Sequence, residues 1–295
     1  MLFDVEPQRY ETDGAIVNAV VGGSGPPLLL LHGYPQTHVA WHQVWPTLCR
    51  HFTVVAPDMR GYGASAARIP DAGIESYSKR ALAADQLQLM SQLGFARFAV
   101  MAHDRGARVG YRLALDHPDN VAALVSLTVI PTWEMWARAN RQFGLHAYHW
   151  FLFAQPFDLP ERLLAADPAH FLDLTLDRMT KYRDRLLDEA VASYRAAFQR
   201  PEVRHAICQD YRAGATIDLA HDEADLAAGS RIECPLLVTW EQGTYLSGPD
   251  PIAIWRRWAT HVEGAPIDAG HLQAEEAPDA VLELALPFLL RHHSG

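Results

Sequence analysis

An aspartate stands where an apolar run breaks into a charged turn: Phe98-Ala99-Val100-Met101-Ala102 leads into His103-Asp104-Arg105-Gly106-Ala107-Arg108. A strand that turns sharply into a helix presents its turn residue above the strand end, and small neighbours such as Ala102, Gly106 and Gly110 let strand and helix approach. An ionised carboxylate in that place can displace a leaving group from an alkyl carbon with no base to help it, forming an ester whose carbonyl belongs to the protein. Aspartate also caps helices, so the tetrad alone is a weak signal. Two further features strengthen it. Leu28 to Leu31 run into His32-Gly33-Tyr34-Pro35, where the Tyr34 N–H, with that of Arg105, would offer two donors to a developing oxyanion. Ala269-Gly270-His271 follows the last apolar run, so His271 could deprotonate the water that splits the ester. Halide displacement and epoxide opening both fit this scheme.

The elements that must hold these residues are legible as an alternation. Residues 15–22, Leu28 to Leu31, Phe52 to Ala56, Phe98 to Ala102, Val121 to Leu127, Pro235 to Thr239 and Val262 to Ile267 read as short strands. Continuous apolar runs fit a parallel sheet covered on both faces. Ile74 to Leu93, Arg105 to His117 and Pro278 to Leu290 carry helical spacing. The alternation stops after about Pro131: residues 133–229 are aromatic and leucine-rich with helical spacing, and the strand-helix rhythm resumes afterwards. The domain reading is a core of 1–132 and 230–295 with a helical cap, 133–229, inserted between two strands. Such a cap would close a pocket over the strand ends.

Composition narrows the partners. A formal net charge of −10 with no basic block disfavours a nucleic-acid surface. An anionic substrate would need a local arginine cluster, which the Asp104 turn supplies. Cys49, Cys208 and Cys234 form no metal or CxxC spacing, and the N-terminal MLFDVEPQRYETDG supports neither a signal peptide nor a membrane span. A cytoplasmic protein is the expectation. His103-Asp104 and His292-His293 lack ligand spacing, His32 reads as a shaper of the oxyanion turn, and Gly22, Gly23 and Gly25 precede their strand rather than following one. Displacement and hydrolysis require no cofactor.

Taken together, LLLHGYPQTHVAWHQVWPTL (29–48), VAPDMRGYGAS (55–65), HDRGARVGYRLALDHP (103–118), YHWFLFAQPFDLPE (148–161), QDYRAG (209–214) and DAGHLQAEEAP (268–278) resemble the fluoroacetate (haloacetate) dehalogenase family of α/β-hydrolases. The resemblance spans essentially the whole chain. It implies an α/β-hydrolase fold with an inserted helical cap, Asp104 as nucleophile and His271 as base. It also implies that Arg105 and Arg108 grip the carboxylate of a small anionic haloacid, that His149, Trp150 and Tyr211 hold the departing halide, and that the chain pairs as a homodimer. Guanidinium forks suit a carboxylate, and imidazole, indole and phenol are all donors.

One position departs from the pattern. The family's acid behind the histidine lies in a stretch of the form L-D-x-x-P-T, and here that stretch is Leu127-Thr128-Val129-Ile130-Pro131-Thr132. Threonine cannot carry the charge that steadies an imidazolium. Glu241, just after the strand that ends at Thr239, or Glu134, early in the cap, could substitute; Thr128 could itself accept a hydrogen bond; or the position is an alteration that lets the ester accumulate. Slowed ester hydrolysis is the corresponding expectation. Two rival functions stand beside the dehalogenase. An epoxide hydrolase would draw on cap tyrosines among Tyr148, Tyr182, Tyr194 and Tyr211, and a weakly active binding protein would rest on Thr128 alone.

Overall fold

The computed structural model describes residues 2–69, 73–243 and 250–292. Among the described residues nine strands form one sheet: β1 (Gln8–Glu11), β2 (Ala15–Gly23), β3 (Pro27–Leu31), β4 (Thr53–Pro57), β5 (Ala66–Ala67), β6 (Phe98–His103), β7 (Val121–Leu127), β8 (Leu236–Glu241) and β9 (Val262–Ile267). The spatial order is β1-β2-β4-β3-β6-β7-β8-β9, with β5 against β2. From β4 to β9 the pairing is parallel, whereas β1, β2 and β5 add an antiparallel margin. Every residue of β6 and β7 is buried, which is why their apolar runs do not alternate.

The sequence reading locates the parallel strands to within about two residues and misses two others. Strand β1 is mostly exposed and polar, and β5 is a pair of alanines, so neither carries an apolar signature. The expected helix from Ile74 is also shorter. Ile74–Tyr77 forms a 3₁₀ turn, and the α-helix spans Lys79–Gln92 because the Ser78 side chain accepts from Ala81 N and caps it.

Strands β7 and β8 are sheet neighbours, yet the chain between them runs through helices from Thr132–Ala137 to Ile217–Ala228 with no strand among them. The result is an α/β sandwich with an inserted helical region. Asp104, Thr128, Glu241 and His271 therefore share the carboxyl edge of the sheet, where strands β6, β7, β8 and β9 end or have just ended.

Candidate active site

Asp104 begins the helix Asp104–Asp116 directly after β6 and adopts φ +47°. That left-handed backbone is uncommon for a residue with a side chain, and the surrounding glycines make room for it. A Cβ at Gly106 would lie 2.3 Å from the carbonyl oxygens of Leu31 and His32, and one at Gly33 would lie 2.4 Å from Asp104 Cβ. The carboxylate is thereby pressed against the turn after β3, where Tyr34 N–H donates to Asp104 Oδ1 at 2.9 Å. The Arg105 N–H lies in the first turn of its helix, where backbone donors have no intrahelical acceptor.

The other carboxylate oxygen, Oδ2, is 3.4 Å from His271 Nε2. On the far side of the ring, Nδ1 is 2.9 Å from Glu241 Oε1, so the imidazole lies between two carboxylates. Its backbone is fixed as well: His103 Nε2 donates to the His271 carbonyl at 2.7 Å. Burial alone would lower the His271 pKa, but the hydrogen bonds its ring donates to Asp104 and Glu241, and their charges, push it up to about 10. Burial likewise opposes ionisation of Asp104, and the His271 contact outweighs it, holding that carboxyl well below the usual range.

Of the accounts offered for the missing acid, only Glu241 reaches the ring. It is the last residue of β8 rather than a residue beyond it. Thr128, at φ +67°, donates its hydroxyl to the Leu127 carbonyl at 2.8 Å, and the ring Nδ1 it would have to serve is taken by Glu241. Glu134 is fully buried and already engaged by Arg138, by Arg257 at 2.6 Å and by Trp258 Nε1 at 3.0 Å.

The two arginines of the turn differ sharply. Arg105 is clamped by Asp210: Nε and Nη2 each meet a carboxylate oxygen at 2.8 Å, and Nη2 also meets the Asp210 carbonyl at 2.8 Å. Lys79 and the Tyr62 hydroxyl share the same carboxylate. Arg105 thus serves first as a strut between the turn and the cap, with Nη1 alone left unpartnered. Arg108 is 1% exposed and lines the cavity with Asp104. Its Nη1 bonds only the Ile130 carbonyl and Thr132 Oγ1, both at 3.1 Å, and its Nε has no partner. No carboxylate pairs with it among the described residues. Burial and the neighbouring Arg105 charge both lower its pKa. Asp210 was passed over in the sequence although it lies inside QDYRAG; a buried arginine's need for a carboxylate was the signal that could have found it.

The cavity has a volume of about 370 Å³. His149 and Trp150 line it opposite the sheet edge, with Val129, Met135 and Phe143 supplying apolar wall. The Arg108 guanidinium lies 4.7 Å from the Trp150 ring centroid. Burial brings His149 down to about 3, so it is a neutral imidazole. Tyr211 packs edge-on against His149 and Trp150, at 5.6 and 6.0 Å between centroids, but is not part of the lining; its buried hydroxyl has no partner. His32 accepts from Met59 N at 3.1 Å, and its Nδ1 is 3.0 Å from the Gly33 carbonyl, so both ring nitrogens are spent on the turn. Among the described residues no group of His, Cys, Asp or Glu could hold a metal ion, and no helix is long and apolar enough to cross a membrane. His293 lies outside the described residues.

Residues 26–278 match the family described as the alpha/beta hydrolase fold. The chain belongs to the α/β-hydrolases. This α/β-hydrolase is 39% identical over 292 residues to a fluoroacetate dehalogenase of Burkholderia sp, covering 98% of this chain and 95% of that protein. It is 32% identical over 296 residues to a soluble epoxide hydrolase of Corynebacterium sp. (strain C12), covering 98% of each. A Pseudomonas aeruginosa structure provisionally named an epoxide hydrolase shares 56% identity and a TM-score of 0.95, over 98% of this α/β-hydrolase and 96% of that chain. A threonine-to-aspartate variant of that protein, with bound MFA, aligns with a TM-score of 0.94 at 56% identity, covering 98% and 97% of the two chains.

Proposed function

We propose that this α/β-hydrolase releases halide from a small 2-haloacid by way of an ester on Asp104. The observation that carries the substrate class is Arg108, a buried guanidinium beside the attacking carboxylate with no anion of its own. A buried charge is stable when paired, and a substrate carboxylate would supply the missing partner. It would also offset the repulsion between two anions brought together for attack.

In the first step Asp104 Oδ2 attacks the halogen-bearing carbon, and the carbon-halogen pair leaves with the halide. His149, neutral and therefore carrying one N–H, can donate to that halide, with the Trp150 indole beside it in the cavity wall. Ester formation removes the Asp104 charge, one of the two that hold the proton on His271. The imidazolium then releases its proton more readily, and the neutral ring takes a proton from water. Water oxygen attacks the Asp104 carbonyl carbon, and the charge gathers on Oδ1 under the Tyr34 N–H. Collapse expels the 2-hydroxyacid oxygen, which takes the proton back from His271, and the second water proton, left on Asp104, passes to the ring and restores the carboxylate and imidazolium. With Glu241 behind the ring, Thr128 need not slow this second step.

Epoxide opening is the second reading, favoured by the partnerless Tyr211 hydroxyl and by relatives named epoxide hydrolases, which weigh at least as much as the dehalogenase. An epoxide needs a phenol to protonate its oxygen and has no use for Arg108. Comparing kcat/KM for chloroacetate, fluoroacetate and styrene oxide in the wild type and in Arg108→Gln separates the two. The haloacid reading expects haloacetate turnover that falls about a hundredfold in the variant, the scale of one charge-assisted pair. Styrene oxide turnover that exceeds haloacetate turnover and survives the change would replace it with the epoxide reading.

A further inference from the structure

A carboxylate outside the reacting groups joins the base to the cap. Glu276 ends the short helix Gln273–Glu276 just after His271 and is 1% exposed. It accepts four backbone N–H groups: from Gly270 at 3.1 Å and Leu272 at 3.1 Å, which flank His271, and from Lys181 at 2.7 Å and Tyr182 at 2.8 Å in the cap. Oε2 takes three of these bonds and Oε1 takes the one from Leu272, so both oxygens are engaged by backbone. Independent contacts run across the same seam. His271 N–H donates to the Met179 carbonyl at 2.6 Å, and Arg185 donates to the Glu276 carbonyl at 2.8 Å. A Cβ at Gly270 would lie 2.4 Å from Lys181 N and 2.7 Å from the Met179 oxygen. The segment from Met179 to Lys181, which also lines the cavity, therefore lies directly on the backbone of the histidine loop.

We infer that Glu276 is a positioning residue that locks His271 to the cap, so that ester hydrolysis runs only while this cap segment is seated. The inference rests on the two-step reaction proposed above. His271 must keep Nδ1 on Glu241 and Nε2 over Asp104, and displacements of about 1 Å in such a site cost on the order of a hundredfold. Attack by Asp104 needs no base. The lock therefore bears on the second step and spares the first.

Glutamine at 276 would turn an amide donor toward one of these backbone donors. Rapid quench of Glu276→Gln with chloroacetate should give a halide burst within about twofold of wild type, followed by ester hydrolysis slowed about tenfold or more. The adduct should accumulate by intact mass, and the pH limb of hydrolysis should move downward as the ring loosens from Glu241. Glu276→Asp, which keeps the charge, should recover part of the rate. Equal slowing of both steps, or of neither, would overturn the lock. Amide hydrogen exchange on the wild type tests it without a variant: Lys181, Tyr182, Gly270 and Leu272 should exchange in one slow step. Free exchange of the cap pair while Gly270 and Leu272 stay protected would also overturn it. If the wild type neither releases halide nor opens epoxides, the proposed reaction fails, and the exchange measurement still decides the lock.

Discussion

At the scale of single residues, the imidazole between two carboxylates sets the behaviour to measure. Glu241→Gln should leave the halide burst in place and slow ester hydrolysis by about 10⁴, the scale of loss when a triad acid is replaced by its amide; steady turnover within tenfold of wild type would remove Glu241 from the role. Thr128→Asp should bring no gain, because the ring nitrogen it would address is already held at 2.9 Å, and a clear rise in turnover would speak against that. Folding raises the pKa of His271 from an ordinary 6.5 to about 10. Its contribution to stability is thus complete below about pH 6.5 and is lost as the pH climbs toward 10. Calorimetry should find a melting temperature that declines across this window in the wild type and declines less in His271→Gln; identical slopes would show that the histidine titrates elsewhere. The lowered Asp104 pKa works in the opposite sense, since that contribution is present above about pH 3.8 and is lost as acid protonates the carboxyl.

At the scale of elements, the strand-turn-helix around Asp104 depends on close backbone approach. Gly106→Ala would push a methyl group to 2.3 Å from two carbonyl oxygens of the neighbouring turn, and backbone atoms cannot swing aside as a long side chain can. A loss of about 1–3 kcal/mol is expected from such overpacking, with ester formation impaired as Asp104 shifts. Urea unfolding and the halide burst measure the two effects, and a variant as stable and as fast as wild type would show that the turn has slack. The element pattern was readable where burial is two-sided, as in β6 and β7, because apolar runs then record the sheet directly. It was not readable in β1, whose residues are mostly exposed and polar, or in β5, a pair of alanines, because both pair by backbone hydrogen bonds that leave no side-chain signature.

At the scale of the molecule, buried ion pairs fasten the cap to the core. Lys79 and Arg105 from the core meet Asp210 from the cap helix Pro201–Gly214, Lys79 also meets Asp218, and Arg112 meets Asp222 at 2.9 Å. Asp210→Asn would leave the buried Arg105 without a carboxylate and Lys79 with Asp218 alone. Such a break costs about 3–5 kcal/mol, readable in urea as a lower midpoint. A cost below about 1 kcal/mol would mean that the network behaves like surface pairs. Because Asp210 precedes Tyr211, the same change should disturb the wall behind His149 and Trp150.

The sequence by itself determined the parts that are local in the chain: an aspartate at a strand-helix turn, a histidine after the last strand, two arginines beside that aspartate, and a helical insertion between strands. These follow from spacing over a few residues, which fixes backbone geometry and the side a residue faces. Only the tertiary structure decided which acid stands behind His271 and which arginine is free. Glu241, Glu134 and Thr128 all stayed open until β7 and β8 were laid side by side, and Arg105 looked like Arg108 until a cap residue 105 positions later closed on it. Hydrogen bonds and ion pairs act over a few ångströms, and distance along the chain carries no record of which distant groups fall within that reach.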